Sequence, residues 1–124
     1  MGLDMYLQRK PRKDEDIDVV ELGYWRKANA IHGYFTRDLE GEDNMRTIPV
    51  SKKELMQLKE RCIKVLSGGP DVAKVLLPRA SGFFWGLTDY DKWYIKDIED
   101  TIQIVSEVLD DWKPNDRVYY YAWY

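Results

Sequence analysis

The 124-residue sequence contains a single cysteine, Cys62, and a single histidine, His32. One cysteine excludes an intrachain disulfide and points to a reducing interior, the cytoplasm. One Cys and one His also leave a zinc site short of ligands, since carboxylates would have to supply all the others. HExxH, a CxxC pair and a calcium loop are missing, as are a GxSxG elbow, a P-loop and a dinucleotide fingerprint. No metal or cofactor is therefore expected. No apolar run approaches a membrane span, and the N-terminus lacks the apolar core of a signal peptide. Met1-Gly2 begins like a myristoylation signal, but Tyr6 stands where Ser or Thr is required. A basic excess is also absent. Nineteen Lys and Arg against 22 Asp and Glu give a net charge of −3, which offers no strong nucleic-acid signal and is too small for an acidic DNA mimic. The expectation is a soluble, cytoplasmic protein with no membrane association.

Phenylalanine is scarce, with three residues, whereas five Trp and nine Tyr are present. Trp and Tyr bury large areas but keep one polar atom in need of a partner. They suit half-buried surfaces, pocket walls and interfaces as well as ordinary cores. The length corresponds to one domain, residues 1–124.

Along the chain, Leu3, Met5 and Leu7 alternate with polar residues and predict a strand from the start. The basic cluster Arg9 to Lys13, interrupted by Pro11, abuts Asp14-Glu15-Asp16 and reads as a solvated loop. Ile17, Val19 and Val20 suggest a short second strand before Gly23. From Tyr24 the period changes: Trp25, Ala28, His32, Phe35 and Leu39 recur at steps of three and four and predict a helix. Gly33 within it suggests close packing or a bend. Thr47 to Val50 reads as a brief edge strand containing Pro49. Ser51 and Glu54 form a capping box for a helix whose stripe is Leu55, Leu58, Cys62, Val65 and Leu66, ended by Ser67-Gly68-Gly69-Pro70. Cys62 on that stripe is expected to be inert packing.

Asp71 caps a short predicted helix through Val72, Val75, Leu76 and Leu77. Gly82 to Gly86 encloses three consecutive aromatics and reads as a buried strand. Thr88 with Asp91, or else Asp89, caps the longest helix, roughly Asp91 to Trp112, with Ile95, Ile98, Ile102, Val105, Leu109 and Trp112 as its apolar positions and Tyr94 and Val108 broadening the stripe. Val118, Tyr120 and Ala122 alternate with Tyr119, Tyr121 and Trp123 as a last strand, which pairs naturally with the first. The fold class is α+β, a small and mainly antiparallel sheet holding the N- and C-terminal strands, packed by about three principal helices.

Two regions carry candidate chemistry. His32 is the only side chain with an ordinary pKa near neutrality, so it is the candidate acid/base, although its place on an apolar stripe equally suits a hydrogen-bonded core histidine. Tyr24, Trp25, Arg26 and Asn29 surround it in sequence. Phe84, Trp85, Asp89 and Tyr90 form the second group, where glycines allow close backbone approach and aromatics supply a stacking wall.

Three blocks in this order carry a resemblance: Met1-Gly2-Leu3-Asp4-Met5-Tyr6-Leu7, Gly23-Tyr24-Trp25-Arg26-Lys27-Ala28-Asn29-Ala30-Ile31-His32 and Ser81-Gly82-Phe83-Phe84-Trp85-Gly86-Leu87-Thr88-Asp89-Tyr90-Asp91. The chain thereby resembles a family of small, functionally uncharacterised proteins of bacteriophages and prophages. The resemblance implies a phage-borne accessory protein acting inside a bacterial host cell, and it brings no activity, cofactor or catalytic residue.

With an aromatic surplus and no catalytic set, the expectation is a non-enzymatic binding module for a host protein or a small, nucleotide-like ligand. It would present Tyr24, Trp25, Arg26, Asn29 and His32 near Phe84, Trp85, Asp89 and Tyr90. The alternative is a small hydrolase or transferase acting on a phosphate-bearing substrate. There His32 would be acid/base, Arg26 or Lys27 the charge stabiliser, and Asp89 with Asp91 the holders of a cation. Whether the chain is an enzyme is thus left open. A third expectation is a homo-oligomer paired through the C-terminal strand, Tyr119 to Tyr124.

Overall fold

A computed structural model describes residues 3–10, 19–37, 39, 45–78, 92–114 and 116–124. Among these residues, four strands form one antiparallel sheet: β1 (Asp4–Lys10), β2 (Val20–Arg26), β3 (Arg46–Val50) and β4 (Arg117–Trp123). The helices are α1 (Asn29–Phe35), α2 (Lys52–Gly68), α3 (Pro70–Leu76) and α4 (Lys92–Asp110). The fold is α+β, as the alternation and periodicity of the sequence predict.

The strand order is β2-β1-β4-β3. The first and last strands are therefore the two central ones, paired in register from Asp4 with Trp123 to Lys10 with Arg117. Alternation assigns one side of this pair to the core. Met5, Leu7, Val118, Tyr120 and Ala122 are all buried and join Leu55, Leu58, Cys62, Val65, Ile98 and Val105 in one hydrophobic cluster. Both edges of β4 are occupied, by β1 and β3. The backbone groups of the C-terminal strand are therefore already paired within the sheet, and among the described residues the edge strands are β2 and β3. Pro49 sits on edge strand β3, where a missing N–H is tolerated.

The helix expected from Tyr24 begins later. Residues 20–26 are strand, with Trp25 opposite Met5 and Tyr24 opposite Tyr6. Trp25, Ala28, His32 and Phe35 have helical spacing, but cross-strand pairing captures the first of them, since aromatic side chains gain contacts on a pleated surface. The chain reverses at Lys27, at φ 57°, and its N–H donates to the Leu3 carbonyl at 2.8 Å. Helix α1 then starts behind Ala28, which supplies no side-chain cap, so the boundary carries no capping signal in sequence. Among the described residues, a Cβ at Gly33 would meet nothing within 4 Å, so none of them supplies the close packing expected there.

Helix α2 follows the prediction closely. Ser51 Oγ accepts from the Glu54 N–H at 3.1 Å, and Glu54 Oε1 accepts from the Ser51 N–H at 3.0 Å. Its stripe buries Leu55, Leu58, Cys62 and Val65, while Leu66 is exposed. Asp71 does not cap α3; Gly69 holds the N-cap position, with Pro70 in the first turn where its missing N–H costs nothing. Val75, expected inside, is 78% exposed.

The buried line of α4 is Tyr94, Ile98, Thr101, Val105 and Val108, all but Thr101 on the expected stripe. Ile102, Leu109 and Trp112 flank it, and Ile95 is exposed. A polar residue joins the line because Thr101 Oγ1 accepts the Trp25 indole N–H at 2.9 Å. The Gly82–Gly86 strand and the cap at Thr88, Asp89 or Asp91 lie outside the described residues.

Candidate functional site

The sheet separates the residues expected to form one site. Adjacent strand residues point to opposite faces, so Tyr24 and Trp25 cannot line one pocket. Trp25 enters the core, 4% exposed, whereas Tyr24 is 44% exposed on the other side. Arg26 is exposed as well. Asn29 and His32 lie inside with Trp25. Phe84, Trp85, Asp89 and Tyr90 lie outside the described residues.

His32 is fully buried. Its Nδ1 is 2.6 Å from the Tyr120 hydroxyl, and its ring meets that of Tyr124 edge-on at 6.0 Å. Phe35 stacks on Tyr120 at 4.4 Å, completing an aromatic layer between α1 and β4. A histidine enclosed in this way holds a helix to a sheet. Cys62 is equally enclosed, and burial pushes its thiol up to about 12, so it remains protonated and unreactive.

The feature that pairwise reading of the sequence missed is the side of the sheet facing away from the helices. Outward positions on β1 are Asp4, Tyr6, Gln8 and Lys10; those on β4 are Arg117, Tyr119, Tyr121 and Trp123. Strand β2 adds Tyr24 and Arg26, and β3 adds Thr47 and Pro49. Tyr24, Tyr6, Tyr121 and Thr47 stand opposite one another in a single row across all four strands. The Tyr6 ring lies 5.3 Å from that of Tyr24 and 6.3 Å from that of Tyr121, in tilted contacts. None of the five aromatics Tyr6, Tyr24, Tyr119, Tyr121 and Trp123 belongs to the core cluster, to which the described helices contribute their buried residues. Trp123 is 46% exposed, and Tyr6, Tyr119 and Tyr121 are half-buried by their neighbours.

Polar contacts hold this face in place. Tyr24 donates its hydroxyl to Asp4 Oδ1 at 2.6 Å. That bond, with lesser help from desolvation and the carboxylate charge, pushes the Tyr24 phenol up to about 12. Lys10 places its ammonium 4.7 Å from the centre of the Tyr119 ring. The outward charges are of both signs: Asp4 stands opposite Arg26 at one end of β1, and Lys10 opposite Arg117 at the other. The signal for this surface was present in sequence as the alternation of β1 and β4. Which side would be covered was not, because that depends on where the helices pack.

Among the described residues, no group of three or more His, Cys, Asp or Glu gathers as metal ligands, and no helix is long and apolar enough to cross a membrane. No family model, curated protein or solved structure matches this chain.

Proposed function

We propose that this chain is a non-enzymatic binding module of phage or prophage origin that engages a protein of its bacterial host through the outer face of the sheet. The observation that supports it is the row of aromatic side chains on that face, outside the core cluster and partly open to solvent. Tyr and Trp offer large contact area at low entropic cost and are enriched where proteins meet. Mixed outward charges suit the polar rim of a protein contact better than a polyanion, which calls for a basic stripe. The phage setting rests on the three sequence blocks alone. An acid/base role for His32 has no support in its enclosed position.

The test compares covalent capture of host proteins by wild type and by a Tyr24→Ala/Trp123→Ala variant, both side chains lying outside the core. Loss of a specific partner in the variant, while its circular dichroism spectrum remains that of the folded chain, is expected. An identical captured set from both proteins would remove the sheet face from consideration.

A further inference from the structure

On the far side of the molecule, α1, α2 and the end of α3 enclose a cleft of about 300 Å³. Its wall is partly aliphatic, from Val75 and Leu76, and partly cationic, from Arg37 and Arg61. Both guanidinium groups lie over the Tyr34 ring, at 4.3 Å for Arg37 and 5.2 Å for Arg61. The ring is fixed from behind, since its hydroxyl donates to the Glu54 carbonyl at 2.6 Å. Burial raises the Tyr34 pKa, against the lowering influence of the two arginines, so the phenol stays neutral at physiological pH.

The two cations differ in charge balance. Arg37 is paired with Glu54 at 3.1 Å. Arg61 has no carboxylate partner among the described residues: it donates to the Leu76 carbonyl at 3.4 Å and rests on Tyr34. The neighbouring Glu60 is engaged by Lys64 at 2.9 Å. A guanidinium carries five N–H donors, so most of those on Arg61 have no acceptor among the described residues. That is the arrangement in which arginine receives a planar or tetrahedral oxyanion.

Glycine at position 33 completes the cleft. It lines the cavity, and among the described residues nothing lies within 4 Å of the place a Cβ would take. The space beside α1 is therefore open at this point, where any larger side chain would project into it.

We infer that this cleft binds a small organic oxyanion, with its phosphate or carboxylate on Arg61 and its apolar or aromatic body along Val75 and Leu76. The volume lies at the lower end of small-ligand sites, which suits a molecule of about nucleotide size or less. The site is separate from the aromatic sheet face, and neither depends on the other.

The test uses isothermal titration of the full chain with adenosine 5′-monophosphate, phenyl phosphate, benzoate and inorganic phosphate. Binding of one of the three organic anions, tighter than that of inorganic phosphate, is expected. Arg61→Met keeps the stem over Tyr34 and should weaken that binding at least about tenfold, the usual scale for losing a charge-assisted pair. Gly33→Leu should abolish it by filling the cavity, whereas Tyr24→Ala should bind as wild type does. The last variant separates this site from the sheet face. Absence of binding by all three organic anions, or equal binding by wild type and a folded Arg61→Met, overturns the inference.

Discussion

Gly23→Ala is a small change at a place where the structure leaves no room. A Cβ at position 23 would lie 2.4 Å from Ile104 Cγ2, more than an ångström inside ordinary carbon contact. The obstructing methyl cannot swing away cheaply, because Ile is branched at Cβ and stiff at its first side-chain torsion in a helix. Nor can the strand move freely, since Gly23 pairs with Leu7 next to an irregularity in the β1–β2 register. Forcing a methyl into a packed site costs about 1–3 kcal/mol, and replacing a glycine returns about 0.5–1 kcal/mol of backbone entropy. The expected net loss is about 1–2 kcal/mol, read from urea denaturation followed by Trp fluorescence. Ile104→Ala removes the obstructing methyl, so in that background Gly23→Ala should be neutral or stabilising. The double-mutant cycle should show a coupling of at least about 1 kcal/mol. If Gly23→Ala is harmless in the wild-type background, or equally costly in both, the close approach of β2 to α4 is not what requires glycine.

Thr101→Val should cost about 1–3 kcal/mol in the same denaturation experiment, because it leaves the buried Trp25 indole N–H without its acceptor; Thr101→Ser should restore most of it. Tyr24 ionises at about 12 in the folded chain against an ordinary value of 10.0. Its hydrogen bond to Asp4 thus contributes fully to stability below about pH 10 and is lost as pH rises through about 12. Asp4→Asn should move the phenolate absorbance step, isolated as the difference from Tyr24→Phe, back toward 10; an unmoved step would contradict the role given to Asp4. Cys62, ordinarily 9.0 and raised to about 12, holds roughly a thousandfold less thiolate than an unburied thiol at neutral pH. Its reaction with a disulfide reagent should accordingly be at least about a hundredfold slower in native buffer than in urea, and rapid native labelling would show that α2 does not enclose it.

Local patterns in the sequence were enough for much of the frame. The two-residue period of Leu3-Met5-Leu7 and of Val118-Tyr120-Ala122 determines both strands. Ser51 with Glu54, and Gly69 with Pro70, mark both ends of α2 because capping is chemistry within a few residues. Where two patterns overlap, only tertiary contact decides. The run from Trp25 to Phe35 satisfies a helical period, yet β1 is available to pair with its first part, and pairing divides it into β2 and α1. In α4 a threonine takes a core position because an indole N–H from another element needs an acceptor there. The candidate sites depend on the same kind of information. Proximity in sequence joined Tyr24 to Trp25 and His32, whereas the pleat sends Tyr24 to one side of the sheet and encloses the other two. Tyr6, Tyr24 and Tyr121 become one surface only after three distant strands align, and Arg61 meets Tyr34 and Leu76 only when α1, α2 and α3 close around a common space. Period and capping are properties of neighbouring residues; which face remains open is a property of everything packed against the other one.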